Sequence, residues 1–378
     1  MYKYQRGEYF AQVAGGMEEY GLSEAKGLGA KNIVQKIRGI SFKADQKTLY
    51  RINYTSRFLT RVLAPLISFK CPDRDTLYKN IKRIEWDSFF YLNKTFAVFS
   101  NVSASSINNS QFASLCAKDA IADYFMDKFG RRPNVDTKDP DAWISVHIKD
   151  DYCVVSFDTS GGSLHKRGYR KQSVTAPIQE TLAAIILEIT EWDGTKCLYD
   201  PMCGSGTLLS EAYMKHCNIP SGYLKKSFGF EHLPDFEKEL WESVKAYEDN
   251  KIIKLPEGLI RGSDADTNAV EATLENMETL PGGEDVEIKQ AAFMDLKNIE
   301  NAVIVCNPPY GIRLSKGKNL DAFYKAFGDF LKQKCKGGTA YIYFGEREYI
   351  KKLGLKASFK KPLKNGGLDG RLVKIELY

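Results

Sequence analysis

Apolar positions fall into two textures along this chain. Over the first 160 residues they form short runs. Gly16-Met17-Glu18-Glu19-Tyr20-Gly21-Leu22 opens a helical pattern that Gly27 and Gly29 end. An extended stretch follows around Ile40-Ser41-Phe42, and then a longer pattern of the first kind runs from Leu49 to Leu66. Near Trp86 the texture changes. Thr95–Ser100 reads as a strand, and Gln111–Phe129 as a helix ended by Gly130. Trp143–Ile148 and Tyr152–Phe157 read as a hairpin turning at Lys149-Asp150-Asp151. These elements predict a small α+β module.

Beyond residue 171 strand and helix alternate. Pro177 suits a first helical turn, after which Leu182, Ile185, Ile186 and Ile189 recur at helix spacing. Strands are expected at Cys197–Asp200, Leu259–Ser263, Val286–Gln290, Ala302–Cys306 and Thr339–Phe344. Helices are expected between them at Thr207–His216, Thr267–Thr279 and Leu320–Lys336, and Leu372–Tyr378 adds a last strand. The alternation predicts an α/β fold with an open, mostly parallel sheet and helices on both faces.

Composition adds limits. The 378 residues suggest two or three domains, and 43% hydrophobic residues suffice for a real core. No apolar run approaches the roughly 18 residues of a membrane span, and Met1–Gly16 lacks a signal-peptide core, so a cytoplasmic protein is expected. The eight cysteines contain no C-x-x-C pair, which points to free thiols rather than a zinc site or a disulfide framework, and no metal is expected. The net charge of +6 is uneven: residues 1–171 hold 27 Lys/Arg against 18 Asp/Glu. The excess lies in residues 1–83 and in the tract His165-Lys166-Arg167-Gly168-Tyr169-Arg170-Lys171, whereas residues 84–165 are slightly acidic. Clustered positive charge is what a polyanion-binding face needs, so Lys166, Arg167, Arg170 and Lys171 are expected to contact phosphates.

The candidate chemistry sits at strand ends. Asp200-Pro201-Met202-Cys203-Gly204-Ser205-Gly206-Thr207 follows a strand and opens a helix. Leu209 stands where a dinucleotide fingerprint needs its third glycine, and a Walker lysine is absent, so a phosphate ligand is not favoured. Asp200 suits a cationic group such as an ammonium. Gly262-Ser263-Asp264-Ala265-Asp266 ends the next strand; Asp264 is placed to accept from ribose hydroxyls, and Asp266 to cap the following helix. Asp295 follows as a candidate for an adenine amine, with Phe293 or Met294 on the ring. Asn307-Pro308-Pro309-Tyr310-Gly311 then makes a stiff turn after an apolar strand. An amine nucleophile needs acceptors for its N–H groups, so that its lone pair faces its electrophile. The Asn307 side-chain oxygen and the Pro308 carbonyl are such acceptors, and Tyr310 offers a face to a flipped base.

In this order the motifs resemble those of class I amino-methyltransferases. More narrowly, Leu164–Arg170 followed by Ala176-Pro177, with Ile84-Glu85-Trp86 and Pro362–Gly366, resembles the bacterial THUMP-containing guanine-N2 methyltransferases of large-subunit ribosomal RNA. The resemblance implies a ferredoxin-like segment at 1–65, a THUMP RNA-binding domain at 66–163, a basic linker at 164–175 and a Rossmann-like catalytic domain at 176–378. It implies S-adenosylmethionine as donor, with Ala176, Pro177, Met202, Gly204, Gly206, Thr207 and Ala265 lining its site beside Asp200, Asp264, Asp295 and Asn307. Asn307, Pro308 and Tyr310 would hold the guanine. Ribosomal RNA is the expected partner, ahead of tRNA; DNA adenine-N6 methylation and a non-catalytic assembly role are the rival readings. Some relatives carry a second methyltransferase module after this one, so a chain ending at Tyr378 would support one modification of two.

Overall fold

The computed structural model describes residues 7–173, 177–309, 320–366 and 368–378. The described residues divide into two compact units. One takes those up to Val13 with Gly21–Leu164 and Lys225–Ala246, the other Ala14–Tyr20, His165–Leu224 and Tyr247–Tyr378. No helix among the described residues is long and apolar enough to cross a membrane.

The first unit is built on one eight-stranded sheet. Its strands are β1 (Glu8–Val13), β2 (Lys31–Lys36), β3 (Gly39–Lys43), β4 (Leu59–Lys70), β5 (Thr95–Ser103), β6 (Asn134–Val135), β7 (Ala142–Lys149) and β8 (Tyr152–Asp158). They lie in the order β2-β3-β1-β4-β8-β7-β5-β6. Helices α1 (Glu18–Gly27), α2 (Gln46–Thr55), α3 (Arg74–Lys82) and α4 (Ser110–Phe129) intervene along the chain. The expected hairpin is present: Asp150 and Asp151 both take left-handed φ, 51° and 55°, as a two-residue turn matching strand twist requires. Gly130, at φ 69°, ends α4 as its spacing predicted.

One expectation fails here. The pattern from Leu49 to Leu66 is not one element: α2 stops at Thr55, Ser56 turns extended at ψ 128°, and β4 begins at Leu59. Its apolar run fits either period, and pairing decides between them. β4 joins β1 through Leu59–Leu63 and β8 through Leu63–Lys70, so one strand serves both parts of the sheet. Residues 225–246, which lie in sequence within the expected catalytic domain, pack in the first unit. An aromatic cluster holds them there. Phe230 stacks on Tyr50 with centroids 4.5 Å apart, Trp241 meets Tyr54 edge-on at 5.2 Å, and the Phe230 amide donates to the Thr159 carbonyl at 2.8 Å.

The second unit follows the expected alternation. Its elements are α5 (Glu180–Ile189), β9 (Leu198–Asp200), α6 (Thr207–His216), β10 (Ile260–Asp264), α8 (Thr267–Met277), β11 (Glu287–Gln290), β12 (Val303–Cys306), α9 (Leu320–Lys334), β13 (Thr339–Phe344), α10 (Tyr349–Lys352), β14 (Phe359–Asn365) and β15 (Leu368–Glu376). A helix not anticipated from sequence, α7 (Lys238–Asp249), precedes β10, and β14 was not anticipated either. The sheet order is β11-β10-β9-β12-β13-β15-β14. The first five strands run parallel, and β15 lies antiparallel between β13 and β14. Tyr324, Phe327 and Leu331 of α9 are fully buried in the core on one face of this sheet, with Ile304, Ile342 and Phe344.

Gly328 is where α9 meets the backbone after α10, because a Cβ there would overlap the Leu353 carbonyl oxygen. A backbone atom cannot swing aside as a side chain can. Gly328→Ala is therefore expected to destabilise the chain by about 1–3 kcal/mol through overpacking, read in urea unfolding. An unchanged midpoint would mean that α9 slides freely on its neighbours.

Candidate active site

Strand direction builds the site. β9, β10 and β12 are parallel, so Asp200, Asp264 and Asn307 reach the same edge of the sheet, around a cavity of about 550 Å³. Asp200 ends β9. Its carboxylate is 1% exposed and accepts from the Met202 amide at 3.1 Å. Burial pushes this carboxyl well above the usual carboxylate range, and the nearby Asp264 charge pushes the same way. A buried carboxylate so poorly compensated is suited to a cationic group.

The loop after β9 is braced from several sides. Gly204, at φ 58°, donates its amide to Asp264 Oδ2 at 2.9 Å, and its carbonyl accepts from the Thr273 hydroxyl at 2.7 Å. Asp264 Oδ1 accepts from the Asp266 amide at 3.0 Å. Backbone N–H groups thus fix the carboxylate while it still borders the cavity. Asp266 caps α8, accepting from the Asn268 amide at 3.0 Å, as its position before Thr267 predicted. Met202, Thr207, Ala265 and Pro177 border the cavity, as do Met294, Pro309 and Phe323. At the end of β12, Asn307 borders it too. Its Oδ1 is buried and has no hydrogen-bond partner among the described residues. The adjoining turn is held by the buried Tyr324 hydroxyl, which donates to the Pro309 carbonyl at 3.0 Å.

Several expected site residues stand elsewhere. Asp295 does not line this cavity: it ends a one-turn 3-10 helix, Phe293–Asp295, and borders a separate trough with Arg261 and Lys289. Gly206 is not in the wall either. It takes φ 77° before α6, and a Cβ would meet Thr273 Cγ2 at 2.7 Å, so its lack of a side chain serves packing. Pro308 is buried in the turn without forming wall. Ala176 and Tyr310 lie outside the described residues.

The basic tract needs the largest correction. The Arg167 side chain is 0% exposed, its Nε donating to Glu211 Oε1 at 3.2 Å beside the Tyr169 hydroxyl at the same distance. A phosphate cannot reach it. Arg170 is also committed. It bonds Glu180 at 2.9 Å, the Ile178 carbonyl at 3.3 Å, Ser205 at 3.3 Å and Thr207 at 3.0 Å. It therefore clamps the glycine loop to the segment before α5. Lys166 and Lys171 are exposed. Asn276, fully buried and unremarked in the sequence, completes the brace: its Oδ1 accepts from the Lys171 and Gln172 amides, and its Nδ2 donates to the Ser205 carbonyl. The readable sign was Glu211, an acid amid apolar residues of α6 that demands a buried cation.

Residues 167–374 match the RMKL-like methyltransferase domain. The chain belongs to that family. Ahead of this domain, residues 71–158 match the THUMP domain and residues 8–63 the RlmL ferredoxin-like domain. Among relatives, slr0064 of Synechocystis sp., named provisionally as an RNA methyltransferase, is 38% identical over 98% of this chain and 97% of its own. The ribosomal RNA large subunit methyltransferase K/L of Vibrio parahaemolyticus is 36% identical over 96% of this chain and 52% of its own, so the chain spans about half of that protein. SMU.472, solved in complex with S-adenosylhomocysteine, superposes with a TM-score of 0.85 at 28% identity, covering 98% of both chains. A Listeria monocytogenes protein, assigned by prediction as an N6-adenine-specific DNA methylase, gives 0.84 at 26% over 98% of this chain and 96% of its own. The cavity thus lies in the methyltransferase domain of the chain.

The raised Asp200 carboxyl has a consequence for stability. Its folded pKa lies above the ordinary value of about 3.9, so the folded chain keeps this proton to higher pH than the unfolded chain. Stability is then lost as pH rises through that window. Asp200→Asn relieves the burden, and the ligand-free variant is expected to exceed the parent in stability by about 1–3 kcal/mol at pH 7. The gap should close toward pH 4. Thermal unfolding across pH measures it; a variant that melts below the parent at pH 7 would refute the assignment.

Proposed function

We propose that this chain transfers a methyl group from S-adenosylmethionine to the exocyclic N2 amine of a guanosine in RNA, large-subunit ribosomal RNA being the favoured substrate. The observation that carries this reading is the buried, unpartnered Asn307 Oδ1 in the same cavity as Asp200 and Asp264. The residues present fit the donor. Of the residues lining the cavity, Asp200 would hold its ammonium group, Asp264 its ribose hydroxyls, and Phe293 and Met294 its adenine. When bound, S-adenosylmethionine supplies an electrophilic methyl group.

The protein's part is acceptance and alignment. A guanine N2 amine is a poor nucleophile because its lone pair is delocalised into the ring. Asn307 Oδ1 would accept a hydrogen bond from one of its N–H groups, favouring the pyramidal geometry needed for attack. Such a contact strengthens toward the transition state, so it acts on kcat. No general base is required, because the proton can leave after transfer. RNA as the substrate is supported by the THUMP match and by the names of the two curated relatives. DNA adenine-N6 methylation remains the second reading, favoured by the name of the Listeria protein.

Asn307→Ala is expected to lower single-turnover methyl transfer by about 2.7–4 kcal/mol, a hundred- to thousandfold, with donor affinity unchanged. Asp264→Ala should instead weaken donor binding by about 1.5–3 kcal/mol in titration calorimetry. Mass spectrometry of nucleosides from methylated ribosomal RNA, tRNA and DNA identifies the product. N6-methyladenosine, or methylation of DNA alone, would overturn the proposal, as would near-normal turnover of Asn307→Ala.

A further inference from the structure

With Arg167 and Arg170 committed inside the catalytic unit, the basic tract keeps only Lys166 and Lys171 exposed, too few to account for an RNA-binding face alone. Residues 31–43 of the first unit contain Lys31, Lys36, Arg38 and Lys43 and no acidic residue. They form the β2–β3 hairpin, whose outer strand ends the eight-stranded sheet. β2 shows an exposed row: Lys31, Val34, Gln35 and Lys36 stand in solvent, and Ile37 at the turn is 81% exposed. Lysines on an edge strand, and the register shift between Lys31 and Val34, would by themselves be a guard against aggregation. That account does not cover Ile37, or Val34 at 50% exposure, since a guarded edge gains nothing from bare aliphatic side chains.

We infer that the β2–β3 hairpin is an RNA-binding finger, with Lys31 and Lys36 on backbone phosphates and Val34 and Ile37 against ribose or an unstacked base. The inference rests on RNA being the substrate. Charge selects the partner. Glu8 pairs with Lys43 at 2.9 Å and Asp45 lies near Lys31, yet the hairpin itself carries four cations and no acid, so it attracts a polyanion, and small apolar side chains among the cations suit the faces of sugar and base. A protein partner that matched the aliphatic residues would also need its own acids against both lysines.

The test is a salt series of RNA binding by the full chain and by Lys31→Gln/Lys36→Gln. Two lost phosphate contacts should flatten the slope of log K against log salt by about 1.4 for single-stranded RNA, at roughly 0.7 each. Ile37→Ser should weaken binding several-fold without changing the slope, because it removes no counterion release. Both changes are exposed, and S-adenosylhomocysteine binding by calorimetry is expected to stay at the parent's value. A parent that binds RNA while Lys31→Gln/Lys36→Gln keeps its slope overturns the finger and leaves the proposed activity standing. A parent that neither binds nor methylates RNA overturns both.

Discussion

Parallel strands share one polarity, and the catalytic unit depends on that constraint. β9, β10 and β12 each end on the same edge, so three polar groups far apart in sequence converge without any long loop. The strand order reverses between β9 and β12: β10 and β11 build outward on one side, β13 on the other. A crevice opens where the chain turns both ways, and ligands of open α/β sheets bind there. Asp200 and Asn307 flank that reversal directly. The hydrogen bond from the Gly204 amide to Asp264 then ties the first strand's loop to the second strand's end, so this wall of the cavity is set by the fold itself.

What keeps the loop in place comes from outside the cavity. Arg170 and Asn276 grip Ser205 from opposite segments, one at its hydroxyl and the other at its carbonyl. The basic tract is therefore part of the catalytic architecture. A buried pair such as Arg167–Glu211 adds little net stability, because desolvation offsets its attraction. Its worth is directional, since a guanidinium accepts few alternative seats. The tract must return to one position whenever the domain folds, and the glycine loop follows it.

Much of this was legible in the sequence, for a physical reason. Residues that end elements announce themselves: Gly130 by its left-handed turn, the Asp150-Asp151 pair by the hairpin it closes, Asp266 by the cap it makes. The polar motifs were legible because parallel topology places strand-end residues together whatever the loops do. What failed depended on burial or on distant pairing. β4 looked helical because apolar runs of its length satisfy both periods. Arg167 looked like surface because charge counts carry no depth, although its inward alternation with Tyr169 and the lone Glu211 on α6 were both visible. The packing of residues 225–246 could not be read from sequence because their partners, Tyr50 and Tyr54, lie far back in the chain. Asp295 looked like a wall residue, yet one turn of 3-10 helix takes it out of the wall.

On the proposed reading, chemistry and selection are carried by different parts of this chain. An amide oxygen such as Asn307 Oδ1 accepts from any planar exocyclic amine, so guanine N2 and adenine N6 present the same request to it. On the proposed reading the cavity's acids face the donor rather than the base, so they do not discriminate either. Selection must come from groups that contact the nucleic acid before the amine arrives. The first unit is where the chain carries its excess of cations, and its sheet is continuous from β2 to β6. A catalytic unit with a permissive acceptor can be aimed at a particular nucleotide only by such a reader, which makes the front half a determinant of specificity as much as of affinity.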